Sequence, residues 1–167
     1  MSTQAQQSDA HELEAILREH DLGWAIDIFA PASEAAAHYL RALRELEKYV
    51  KDRGLGTTAF SPRWLRHFVS ASPHKAAAFL QALVSIRNIP MLCAAWRIVQ
   101  GMEIESVEMR YARLSDFSLS VRLKSPSGET EEYESNDIND VALIRHLGKS
   151  TMDGRPLFDG FYALRQT

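Results

Sequence analysis

The stretch Ser106–Leu147, SVEMRYARLSDFSLSVRLKSPSGETEEYESNDINDVALIRHL, decides the fold class. Within it, Phe117, Leu119, Val121 and Leu123 alternate with Ser118, Ser120, Arg122 and Lys124. Alternation of this kind puts the apolar side chains on one side of an extended strand and the polar ones in water. Upstream, Val107, Met109 and Tyr111 alternate with Glu108 and Arg110, which predicts a second strand of the same type. Ile104 breaks the parity, so a bulge or the strand start is expected near Glu105–Ser106.

The link from the middle strand to the third is Ser125-Pro126-Ser127-Gly128. The proline ring suits the first corner of a type I turn, and Gly128 suits the left-handed residue that closes it. Such a loop pairs Ser125 with Glu129. The register then sets Val121 opposite Tyr133 on the core side and Arg122 opposite Glu132 on the solvent side, where opposite charges contribute a few tenths of a kcal/mol. A loop one residue shorter would turn Glu132 and Glu134 onto the apolar face, so turn chemistry and burial select the same register.

After the third strand, Ser135-Asn136-Asp137 supplies N-cap candidates, and Asp140 sits where a helix dipole favours negative charge. Ile138, Val141, Ala142, Ile144 and Leu147 form one candidate apolar stripe. Gly148 is read as the stop, with Arg145 and Lys149 near the C-terminal end.

The preceding hundred or so residues read as helices. Residues 1–8 are expected to be a disordered polar tail. Ser8 or Asp9 then caps a helix to about His20, with Leu13, Ile16 and Leu17 on one face and Gly23 at its end. Trp24–Phe29 is a short apolar segment stopped by Pro31. Ser33 is the expected cap of a long helix over about Glu34–Arg53, with Ala36, Tyr39, Leu40, Leu43, Leu46 and Val50 as its buried stripe. The steps Ser61-Pro62 and Ser72-Pro73 each place serine at an N-cap and proline at the first helical position. They predict helices over about Pro62–Ser70 and Pro73–Ile86. Pro90 opens another to Gln100, and Gly101 closes it. At the C-terminus, Leu157–Leu164 reads either as a fourth strand or as two short apolar pieces around Asp159-Gly160.

Segregated helices then strands give an α+β class. The expected architecture is an N-terminal helical bundle of about five to six helices over 9–101. It packs on a three- to four-stranded antiparallel sheet with one helix over 102–167, as one compact domain with two lobes. The apolar helix 90–100 and the helix 138–147 are the elements available to cover the sheet.

The single cysteine, Cys93, excludes an internal disulfide and fits a reducing compartment, so cytoplasmic residence is expected. The polar N-terminus lacks a signal-peptide pattern, and no apolar run reaches the roughly 18 residues of a membrane span. Net charge is only −3, but it is unevenly laid out. Residues 1–53 hold ten acidic and six basic residues, and residues 103–167 hold twelve and eight. Between them, 54–102 contain no Asp or Glu, while carrying Arg63, Arg66, Lys75, Arg87 and Arg97.

That acid-free segment supplies the candidate site. Arg63, Arg66 and His67 share one side of a short helix, Trp64 offers a stacking surface, and the next helix opens at His74 and Lys75 with its N–H groups free for an anion. The reading that weighs more is that these bases pair with acidic residues of the flanking segments or of a partner subunit. Five charges over two or three helices are a weak footprint for nucleic acid, which is therefore not the favoured partner. The six histidines show no HxxxH spacing, Cys93 lies among core-type residues, and Glu129, Glu131, Glu132 and Glu134 read as the solvated edge of a sheet. No catalytic residue, metal ligand or cofactor is assigned. The expected function is a non-catalytic protein-interaction or regulatory module, docking a protein partner or a second copy by complementary charge. Binding of nucleic acid or a phosphorylated ligand through 54–102 is the alternative, and a small enzyme whose site forms only in three dimensions is the third.

Overall fold

The computed structural model describes residues 4–27, 32–110 and 116–153. Among the described residues, six helices precede the sheet: α1 (Gln4–Glu19), α2 (Trp24–Asp27), α3 (Ala32–Asp52), α4 (Pro62–Ala71), α5 (Pro73–Ser85) and α6 (Ile89–Val99). Strands β1 (Glu103–Arg110), β2 (Ser118–Lys124) and β3 (Thr130–Ser135) follow, then α7 (Asn139–Asp153). The α+β class holds. The described strands form an antiparallel sheet in the order β1-β2-β3. The segment 157–164, read as a fourth strand or two short apolar pieces, and the Tyr111 end of the upstream strand lie outside the described residues.

The sheet follows the turn chemistry. Ser125 N donates to Glu129 O at 2.8 Å and Gly128 N to Ser125 O at 2.9 Å, with Gly128 at φ 94°, a region that glycine enters without steric cost. Val121 then faces Tyr133 and Arg122 faces Glu132, their side chains 3.2 Å apart. The register of β1 against β2 shifts between Ile104 and Ser106, where the parity break placed a bulge. Three inward rows result: Ile104–Leu123–Glu131, Val107–Val121–Tyr133 and Met109–Leu119–Ser135. Helices α6 and α7 pack over these rows. The opposite face carries Ser118, Ser120, Arg122 and Glu132, polar side chains suited to water.

The helical part is built on the predicted stripes. Leu13, Ile16 and Leu17 of α1 are fully buried, as are Ala36, Tyr39, Leu43 and Leu46 of α3, and the two helices pack together. Tyr39 Oη donates to Ala25 O at 2.6 Å, fastening α2 to α3. Ser61 Oγ accepts from Trp64 N at 3.2 Å and Asn88 Oδ1 from Met91 N at 3.1 Å, so α4 and α6 start at side-chain caps with proline in the first turn.

Several expectations at helix ends are corrected. Helix α1 starts at Gln4, inside the segment read as a tail, because Gln4, Ala5, Gln6 and Gln7 are competent helix formers; Ser8 and Asp9 lie within it. It ends before Gly23, with Asp21 taking the left-handed conformation at φ 59° while Leu22 N bonds back to Leu17 O. Helix α3 starts at Ala32, so Ser33 is not its cap. Ser72 precedes α5, but its hydroxyl makes no capping bond.

The last helix departs furthest from its reading. Asp137 Oδ1 accepts from Asn139 N at 3.0 Å, which starts α7 one residue after Ile138. Over residues 139–149 its buried positions are Asp140, Val141, Leu143, Ile144 and Leu147, whereas Ala142 and Ile138 are exposed. Gly148 does not stop it. A Cβ there would lie 2.8 Å from Ile104 Cδ1, so the glycine allows α7 to approach β1 closely in mid-helix.

Candidate functional site

Two polar constellations stand out, one closed and one open. The closed one joins α6 to β3. Arg97 Nε and Nη2 bond the two oxygens of Glu131 at 2.9 and 2.5 Å, a bidentate pair. Tyr133 Oη donates to the same carboxylate, and Cys93 Sγ donates to Tyr133 Oη at 3.5 Å. Arg97 also reaches Gln100 Oε1 at 3.3 Å and lies over the Trp96 ring. Burial by itself raises the Glu131 pKa, but the bonds from Arg97 and Tyr133 outweigh it and hold the carboxyl below its ordinary value. Burial is the main cause that pushes the Cys93 thiol up to about 11, so it stays protonated and is a poor nucleophile. Each of these side chains is engaged by a neighbour, and the bonds tie α6 to β3. It also corrects the reading of Glu131 as part of a solvated edge: Glu131 shares the inward parity of Tyr133 and Ser135, and that parity was the available signal.

The open constellation is a groove of about 790 Å³ at the end of the sheet, beyond the row Met109–Leu119–Ser135. Met109 from β1, Phe117 ahead of β2 and Ile138 ahead of α7 supply its apolar wall. Arg87 and Asn88 from the α5–α6 link and Ser135, Asn136 and Asp137 from the β3–α7 link supply its polar rim. Met109 and Ile138 are 46% and 57% exposed, the large hydrophobics left in solvent among the described residues. Both wall the same groove, which is more than scattered surface exposure accounts for.

Behind this rim, Ser135 Oγ donates to Asp140 Oδ2 at 2.7 Å and accepts from Asp137 N at 3.0 Å. Asp140 is 1% exposed, and its other oxygen has no hydrogen-bond partner. Burial is the main cause that raises its pKa to about 6; the Ser135 bond opposes the rise and the Asp137 charge adds to it. A raised carboxyl pKa favours folding while the group is protonated. The contribution is therefore complete below the ordinary value of 3.8 and is lost as pH rises through about 6. In Asp140→Asn this loss should vanish. The variant's denaturant midpoint relative to the wild type should climb steadily between those two pH values, and a constant difference would contradict the account.

The sequence-predicted residues fall elsewhere. Arg63, Arg66 and His67 are exposed on α4. Arg66 lies 3.8 Å from Glu19 of α1, and Arg97 is held by Glu131, so two of the five bases pair with the flanking acidic segments. Arg63, Lys75 and Arg87 make no ion pair among the described residues. Trp64 is half-buried. Its ring stacks on Phe68 at 5.1 Å and meets Phe60 and Phe79 edge-on at 4.9 and 5.9 Å. His74 and Lys75 are partly buried in the first turn of α5. The groove was missed because its walls come from segments far apart in sequence. The signal available in advance was Arg87-Asn88, a polar pair between two apolar helices.

Among the described residues no cluster of three or more His, Cys, Asp or Glu side chains could hold a metal ion, and no helix is long and apolar enough to cross a membrane. Compared with known protein families, with curated proteins and with solved structures, the chain matches none.

Proposed function

We propose that the chain is a non-catalytic protein-interaction module and that its docking surface is the groove between the α5–α6 link and the β3–α7 link. The observation that supports this is the pairing of Met109 and Ile138, both exposed and both on that groove. With about half of each side chain in water, the two forgo about 1 kcal/mol each, which a docked partner recovers. A photo-crosslinking amino acid at position 138 should therefore join a partner protein, whereas the same group at Arg122, on the far face of the sheet, should not. The adduct mass separates a second copy of the chain from a different protein. Equal labelling from both positions, or none from 138, would count against this reading.

Binding of nucleic acid or a phosphorylated ligand by α4 and the start of α5 is the second reading. What favours it is that Arg63 and Lys75 lack an ion pair among the described residues, and that the Ser72 hydroxyl makes no capping bond at the start of α5. It ranks lower because Trp64 is engaged with other rings and Arg66 lies near Glu19.

A further inference from the structure

The polar rim of the groove narrows the kind of partner. Most of its side chains are already used. Asn88 Oδ1 caps α6, Asp137 Oδ1 caps α7, and Ser135 bonds both Asp140 and Asp137 N. The Asn136 amide and the Arg87 guanidinium remain; Arg87, the charged one of the two, is exposed and makes no hydrogen bond or ion pair among the described residues. It also stands in a positive neighbourhood. His38, on α3, is held below its ordinary pKa first by burial and then by the charges of Arg41 and Arg87, with Glu45 opposing. Asp137 brings a negative charge to the rim, but its carboxylate sits at the N-terminus of α7, where the dipole offsets it. A fork of donors therefore points at solvent next to an apolar trough.

We infer that the groove receives a short apolar segment of a partner protein carrying a carboxylate, with Asp or Glu forking onto Arg87 and apolar side chains seated on Met109, Phe117 and Ile138. This rests on the interaction-module reading and specifies its partner chemistry. A trough of about 790 Å³ falls within the range of roughly 300–1,000 Å³ in which pockets bury most of a compact ligand, so a few residues fill it. A carboxylate paired with Arg87 at this exposed rim contributes about two- to fivefold in affinity, and reversing the charge of Arg87 adds repulsion to that loss.

The test uses the full chain and a displayed library of random twelve-residue peptides, selected in parallel on the wild type, on Arg87→Glu and on Lys124→Glu, an exposed charge on the far face. The wild type and K124E should enrich peptides with apolar residues beside Asp or Glu, and R87E should enrich Lys or Arg in their place. By fluorescence polarisation, the wild-type winners should lose more than about two- to fivefold in affinity on R87E, and their affinity for the wild type should fall with added salt. Enrichment of apolar peptides without a charge preference would overturn the carboxylate inference and leave the docking groove standing. No enrichment on any of the three, with circular dichroism showing folded protein, would overturn both.

Discussion

Replacing Tyr133 by alanine is expected to cost about 3–5 kcal/mol of folding stability, a third or more of what a domain of this size usually has. Tyr133 is 2% exposed, in the middle inward row of the sheet under α6, so truncation removes a ring from water-free packing and opens a cavity there. It also takes one donor from Glu131 and the hydroxyl partner from Cys93. Tyr133→Phe separates these effects. It keeps the ring, loses the bond to the carboxylate and should cost about 1–3 kcal/mol. Urea denaturation of both variants at neutral pH gives the comparison. If the two cost the same, the hydroxyl rather than the ring would be the stabilising part.

Trp64→Ala should be the other severe change, at about 2–4 kcal/mol, with a fall in melting temperature on the order of 10 °C. The indole meets three phenylalanines, and through Phe60, itself 5.2 Å from Trp96, it connects α4 to α6. Ring pairs in offset or edge geometry add to the area they bury. Thermal unfolding decides between the two roles assigned to this residue. A stacking platform for nucleotides would lose binding with stability unchanged, whereas a core residue loses stability first.

The parts of the fold legible in advance were those in which one local rule decides. The register of β2 with β3 followed from a proline and a glycine at fixed places in one turn, and the bulge near Glu105 from one break in parity. Helix ends were harder, because capping competes with packing. Gly148 has the chemistry of a stop, yet α7 runs on because the tertiary approach to Ile104 uses the missing side chain. Ile138 has the hydrophobicity of a core residue, but a cap at Asp137 leaves it ahead of the helix and in solvent. Asp140 stands in the first turn of α7, as its reading as a dipole partner required, but its burial behind Ser135 had no signal in the sequence. The candidate site was the least legible. The acid-free segment drew attention to Arg63 and Arg66, while the groove takes from that segment only Arg87 and Asn88.

Helix α6 has a consequence for how the molecule comes apart. It packs against α3 and α5 on one side and against α7, β2 and β3 on the other, with Trp96 at the aromatic group and Cys93 and Arg97 at the sheet. Eight of its eleven residues are buried, so no face of it is spare. Neither half can peel away and leave the other intact, because each uses the same helix as its wall. Hydrogen exchange should therefore release the backbone amides of α6 only with the free energy of global unfolding, as expected if the helices and the sheet open together; release of α6 well below that value would contradict it.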